Sequence, residues 1–106
     1  MKQIISNGQQ FSEPERYNTD IVCGIKAGTQ DVVIEWCDVK DDPADNANWH
    51  LTGVILNRSD ETHAKPVITC LGAYFRARVD HASTHDCVVV VDVANTSTKG
   101  VSQSLG

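Results

Sequence analysis

The sequence predicts an all-β fold, a single antiparallel β-sandwich of about seven short strands with extended polar arms at both ends. Three observations support it. The chain has 106 residues, which is about the length of a seven-stranded sandwich. From residue 20 onward, short apolar runs alternate with turn residues, and several runs place apolar side chains at every second position. No stretch of the chain carries apolar residues at helical spacing.

The chain divides into an N-terminal arm at 1–19, a sandwich core at 20–94 and a C-terminal tail at 95–106. Residues 6–20 are polar and without periodicity, which predicts an extended arm. The tail is also polar, so we expect it to be disordered or to lie on a neighbour. At the start of the arm, KQIIS is expected to form a short strand that packs against another part of the structure. The core strands are expected in DIVCGIK, DVVIEWCDV, WHLTGVILN, VITCL, AYFRARV and CVVVVDVA.

Alternation within these runs predicts which side chains share a face. In AYFRARV one face carries apolar side chains and the other carries Tyr74, Arg76 and Arg78, as in a sheet with one solvated side. In DVVIEWCDV, Glu35 is expected on a similar wet face. The run CVVVVDVA is apolar on both faces, so we expect a second sheet and a further cover, such as a partner subunit.

The charge distribution bears on the class of partner. The net charge is −5, and the nine Lys and Arg residues are scattered along the chain. Nucleic acid is therefore not an expected partner, because it requires a basic patch. No apolar run reaches the ~20 residues of a membrane helix, and the N-terminus lacks the apolar segment of a secretory signal. We expect a protein made in the cytoplasm that binds other proteins and no membrane.

The four cysteines, Cys23, Cys37, Cys70 and Cys87, stand singly in strand-like runs. Zinc sites usually draw their ligands in close pairs, which these spacings do not offer. Buried free thiols are the expected state, and disulfides in an oxidising compartment are the alternative.

Two loops carry residue types that could bind a metal ion. The loop 80–86 contains His81 and His85, and the acidic loop 38–48 contains four aspartates. We expect both to be solvated turns, because the first lacks a helix and the second lacks the EF-hand pattern. A cysteine could also approach His50 or His63, but the chain has no nucleophile, phosphate-loop or metalloprotease motif. The prediction is a protein without catalytic activity, metal or cofactor.

Tyr74, Arg76 and Arg78 form the predicted interface, together with Phe11 and Tyr17 of the arm. Tyrosine and arginine are enriched at protein interfaces. The alternative is an outer face that serves only solubility.

Several pieces of the core follow one another in an order that resembles small β-sandwich virion proteins of tailed bacteriophages. They are the turn Gly28-Thr29, the strand VVIEW at 32–36, the loop ending in Trp49, and the strand LGAYFRARV at 71–79, so the resemblance spans 28–94. These proteins serve as capsid decoration, head-fibre or tail accessory parts.

The resemblance implies a non-enzymatic structural protein of the virion, a capsid decoration or cement protein that binds the major capsid protein or other virion proteins. A homo-oligomer, with a trimer as one arrangement, would follow from arms that order on a neighbour. Two alternatives stay open. One is a tail, neck or fibre accessory protein, and the other is a carbohydrate-binding module that uses Trp36 or Trp49 as a stacking platform.

Overall fold

The computed structural model describes residues 1–58, 65–67 and 73–94. Within these residues, eight strands form two four-stranded antiparallel sheets, which confirms the all-β sandwich. Sheet 1 has the order β1-β8-β3-β6, and sheet 2 has the order β2-β7-β4-β5. The strands are β1 Lys2–Ile5, β2 Glu15–Arg16, β3 Ile21–Ala27, β4 Val32–Asp38, β5 His50–Leu56, β6 Lys65–Val67, β7 Ala73–Arg78 and β8 Cys87–Val93, with a 3-10 turn at Asn46–Asn48 between β4 and β5.

The core lies between the two sheets and follows the alternation of the strands. Alternate residues of β3, β7 and β8 are buried, except at the ends of β3 and β8, where Ala27 and Val93 are exposed. Phe75 is the largest side chain among those fully enclosed. Burying a residue of this kind contributes about 1.5–3 kcal/mol relative to leaving it exposed. The inward positions in these three strands are Ile21, Cys23, Ile25, Ala73, Phe75, Ala77, Cys87, Val89 and Val91.

The predicted strand in KQIIS is confirmed as β1, but residues 1–19 belong to the sandwich and do not form a separate arm. Strand β1 pairs with β8, and β2 pairs with β7. Ile5 is fully buried, and Tyr17 lies in the core. The polar composition of this segment suggested an arm, but some of its polar side chains point inward and bind one another. Gln3 Nε2 donates to the Tyr17 hydroxyl at 2.9 Å, and the Ser12 hydroxyl donates to Gln3 Oε1 at 2.9 Å.

The outer edge of sheet 2 is interrupted by a bulge in β5. The β4–β5 register shifts between Val33 and Glu35, and Gly53 on the bulged strand has φ +88°, a conformation that favours glycine. The Thr52 hydroxyl donates to the Ile34 carbonyl at 2.7 Å and accepts the Val54 N–H at 3.1 Å. At the bulge, these side-chain hydrogen bonds replace the regular backbone hydrogen bonds between β4 and β5.

Part of the predicted organisation lies outside the described residues. This applies to the tail 95–106, to His63 and Cys70, and to most of the predicted strand VITCL, of which only Val67 is described. The described residues include no helix with the length and hydropathy that a membrane span needs.

Candidate functional site

A buried ionic cluster occupies the outer face of sheet 2. Glu35 on β4 lies opposite Arg76 on β7 in the strand register. Its carboxylate accepts a hydrogen bond from Arg76 Nε at 2.9 Å through one oxygen and from Arg78 Nε at 2.9 Å through the other. Glu35 is only 7% exposed and Arg76 only 4%. One carboxylate thus compensates two guanidinium groups, of which Arg76 has little contact with water.

Two aromatic rings pack against the Arg76 guanidinium. Its guanidinium carbon lies 3.9 Å from the ring centroid of Phe11 and 4.2 Å from that of Trp49. Arg76 Nη1 also donates to the Asn46 side-chain oxygen at 3.0 Å. Burial lowers the pKa of Arg76 from its ordinary value, and the hydrogen bond to Glu35 opposes this shift. We call Phe11, Glu35, Trp49, Arg76 and Arg78 the arginine cluster.

The first covering segment, around Phe11, is fixed by its backbone. The Ser12 N–H donates to the Ala77 carbonyl at 3.0 Å, and the Val79 N–H donates to the Gln10 carbonyl at 2.9 Å. Residues 10–12 therefore run along β7 as an irregular addition to sheet 2, and this alignment places the Phe11 ring over Arg76.

The second covering segment is the loop that ends in Trp49. The Asp45 side chain caps the 3-10 turn by accepting the Ala47 N–H at 3.0 Å. The Trp49 indole N–H donates to the Pro43 carbonyl at 2.9 Å. Trp49 is buried, and its ring is engaged by Arg76, so it does not provide an open platform for a sugar ring. Trp36 is half-buried against the core, with its ring 4.7 Å from that of His50.

The predicted interface of Tyr74, Arg76, Arg78, Phe11 and Tyr17 is therefore not one exposed patch. Arg76 and Tyr17 are buried, Phe11 lies over Arg76, and the Arg78 side chain is 27% exposed beside Glu35 and Asp80. Tyr74 is half-buried. Glu35 was likewise expected on a wet face and is buried. Alternation assigned Glu35, Tyr74, Arg76 and Arg78 to the outer side of sheet 2, which agrees with the strand register. The segments that cover this side come from elsewhere in the chain.

The acidic loop uses most of its carboxylates on its own backbone. Asp38 accepts the Lys40 N–H at 3.1 Å, and Asp42 accepts the Ala44 N–H at 2.9 Å. Asp45 caps the turn as described above. These are the local bonds by which aspartate stabilises turns. Among the described residues, no group of three His, Cys, Asp or Glu side chains is arranged to hold a metal ion.

The histidine loop at 80–86 packs against the N-terminal segment. The Gly8 N–H donates to the Ser83 carbonyl at 2.6 Å, and the Ser83 N–H donates to the Gln9 carbonyl at 2.8 Å. Ser83 is buried, whereas His81 and His85 are exposed. The loop thus contributes a backbone connection between two distant parts of the chain.

The three cysteines in the described part of the chain, Cys23, Cys37 and Cys87, are buried free thiols. Burial raises the pKa of Cys23 to about 12, and it also raises the pKa of Cys37 and Cys87. Because the thiolate is the reactive form, these groups are protected from reaction at neutral pH.

Sheet 1 has a different outer face, composed mainly of small apolar residues. The outward positions of β8 and β3 include Val88, Val90, Val22 and Gly24, all partly accessible to solvent, and Ile4 of β1 is 46% exposed. We call these five residues the valine face. Exposed charges stand at its margins, namely Lys2, Lys26 and Asp92.

An apolar outer face is unusual for a sandwich, whose strands normally alternate between buried apolar and outward polar residues. The covering segments identified above, around Phe11 and Trp49, both pack on sheet 2. The sequence indicated this feature through CVVVVDVA, which is apolar on both faces. The structure adds Ile4 and Val22 to the same surface through the pairing of β1 and β3 with β8.

Comparison with known proteins finds no matching family model, no matching curated protein and no matching solved structure.

Proposed function

We propose that this chain is a non-enzymatic structural protein of a tailed-phage particle, a decoration or cement protein that stabilises the capsid by binding. The valine face carries the proposal. Apolar surface gains roughly 25 cal/mol for each Å² removed from water, so a sheet face of this composition favours packing against protein. The order of motifs from Gly28 to Val79, which resembles small virion proteins, supports the choice of a phage particle.

The chemistry of the polar groups also favours binding over catalysis. Glu35, the buried carboxylate of sheet 2, is bound by two guanidinium groups. The buried thiols Cys23, Cys37 and Cys87 have raised pKa values. These groups stabilise the sandwich in their present arrangement and are poorly prepared to act as a base or a nucleophile.

The mechanism would be a shift in an assembly equilibrium. A subunit that binds the assembled shell more tightly than separated capsid proteins stabilises the shell by that difference in affinity. Self-association on the particle would add to the effect, because several linked copies bind with greater avidity than one.

Quantitative mass spectrometry of purified particles from the source tests the proposal by counting copies per particle. Hundreds of copies would support a component of the capsid lattice. A handful would move the protein to the neck, tail or fibres, which is the alternative virion position. Absence from the particles would contradict the proposal.

A variant can connect the result to the valine face. Val88→Glu places a charge on it and should reduce incorporation into particles. The matched control is Val39→Glu, a substitution of the same kind at a 39% exposed loop residue. Equal incorporation of the two variants would contradict a role for the valine face in assembly.

A further inference from the structure

We infer that the valine face binds the valine face of a second copy of this chain, in a twofold-symmetric pair stacked sheet on sheet. The inference rests on the proposed function and deepens it by naming the partner of this surface. It follows from the arrangement of residues on sheet 1, from the signs of the charges at its margins and from its area.

The strand register arranges the face in three rows across the sheet. In the first row, Ile4 pairs with Val88. In the middle row, Lys2 and Gly24 flank Val90. In the third row, Val22 pairs with Asp92.

Lys26 lies at the first row. The β3–β8 register passes from the pair Ile25–Val89 to the pair Ala27–Val88, and Lys26 stands in the irregularity between them. The face therefore carries a positive charge on β3 at one end and a negative charge on β8 at the other. The apolar centre around Val90 and Gly24 lies between these charges.

A twofold axis along the middle row brings the unlike charges at the two ends of the face together, and it places the Lys2 side chains of the two copies opposite each other at the edge strand β1. The axis places the first row of one copy over the third row of the other, because it exchanges the two ends of the strands. Lys26 of each copy then lies one strand away from Asp92 of the other, which is within reach of a lysine side chain because neighbouring strands are about 4.8 Å apart. The two Val90 side chains meet at the axis beside Gly24, which leaves room for them. The strands of the two sheets are nearly aligned, as in sandwich packing.

Two of the four sheet edges, β6 and β5, are poorly suited to bind a second copy. Strand β6 contains Lys65 and Pro66, two residue types that prevent edge pairing. Strand β5 is interrupted by the bulge at Gly53, which also disfavours pairing. A second copy is therefore not expected at either of these two edges.

The area of the face predicts a weak pair. Four strands and three rows of outward residues cover about 20 Å by 20 Å, or roughly 400 Å² on each copy. A standard interface covers about 800 Å² on each partner. We therefore expect only weak, concentration-dependent pairing of the free protein, and fuller pairing where copies are concentrated on a particle surface.

Analytical ultracentrifugation of the purified full chain tests the inference through charge reversal. The wild-type protein should show a concentration-dependent monomer–dimer equilibrium. Lys26→Glu places a glutamate of one copy next to Asp92 of the other, and Asp92→Lys places a lysine next to Lys26. Each variant alone therefore brings like charges together and should weaken dimerisation by tenfold or more. A mixture of the two variants should form heterodimers, because both of its contacts are then between opposite charges. The double variant K26E/D92K should dimerise like the wild type.

The control is Lys40→Glu, which reverses a charge on a lysine side chain that is 78% exposed in a loop. It should leave the equilibrium unchanged. Thermal unfolding of each variant, followed by circular dichroism, should show that the fold is retained. A monomeric wild-type protein at all concentrations, or single variants whose mixture does not recover dimerisation, would overturn the inference.

The outcomes also separate this inference from the proposed function. If the free chain stays monomeric but Val90→Glu prevents incorporation into particles, another virion protein binds the valine face, and only the self-pairing is wrong. If the charge-reversal pattern holds but the protein is absent from particles, only the virion role is wrong. If the chain dimerises only after removal of residues 95–106, its own tail covers the valine face, and the inference of a symmetric pair is overturned.

Discussion

The substitution Glu35→Gln should lower the free energy of unfolding by about 3–5 kcal/mol, because removing one partner of a buried ion pair leaves the other charge uncompensated. Arg76 is 4% exposed, and its guanidinium packs against the rings of Phe11 and Trp49. It cannot turn to water without displacing both rings. Gln keeps the shape of the side chain, so the measured loss reports mainly on the missing charge.

The structure divides this cost unequally between the two arginines. The Arg78 side chain is 27% exposed and also lies 3.4 Å from the exposed Asp80, so its share of the loss should be at most about 1 kcal/mol. Most of the effect therefore comes from Arg76. Since domains of this size are stable by about 5–15 kcal/mol, the substitution should remove a large part of the total.

Urea unfolding followed by tryptophan fluorescence measures the effect, because Trp49 contacts Arg76 directly. With an m value of about 1.5 kcal/mol/M, the midpoint should fall by roughly 2–3 M. The matched control is Glu13→Gln at an exposed carboxylate, which should change stability by less than about 0.5 kcal/mol.

A loss below about 1 kcal/mol for Glu35→Gln would refute this reasoning. The double variant Glu35→Leu/Arg76→Met gives a second check. It should be more stable than Glu35→Leu alone, because replacing both charges with apolar groups avoids leaving one of them buried and unpaired. A double variant that is equally unstable would attribute the effect to packing instead of charge.

Three further predictions concern the core and the N-terminal segment. Ser12→Ala should lower the free energy of unfolding by about 1–3 kcal/mol in urea, because the Ser12 hydroxyl donates to Gln3 Oε1 at 2.9 Å and accepts the Ala77 N–H at 2.8 Å, and both buried groups would lose this partner. A loss under about 0.5 kcal/mol would contradict it. Deletion of residues 1–19 should abolish cooperative unfolding in circular dichroism, since it removes β1 and β2, and a stably folded product would disprove this. For Cys23 the pKa rises from 9.0 to about 12 on folding, so the thiolate forms in the unfolded chain first and stability should fall from pH 9 toward pH 12. Cys23→Ala should reduce that slope by up to about 1.4 kcal/mol per pH unit, and an identical slope would count against it.

The sequence alone predicted the sandwich and the inward side of its main strands. In AYFRARV, the alternate residues Ala73, Phe75, Ala77 and Val79 were assigned to one face, and all four are buried. This worked because strand geometry sends successive side chains to opposite sides of a sheet, so neighbours in sequence determine the pattern. The doubly apolar run CVVVVDVA likewise indicated an outer face that favours a further cover.

The environment of the outward residues was decided by the tertiary structure. Arg76 and Glu35 have the charge and spacing of a solvated strand face, and residues 1–19 have the composition of an arm. The burial of Arg76 and Glu35 depends on Phe11 and Trp49, which lie far from Arg76 in sequence. These rings reach Arg76 only through the pairing around β7 and the capped turn before β5. Alternation is a local property that fixes which way a side chain points. What lies over that side chain depends on long-range contacts, whose energy appears only when the whole chain has folded.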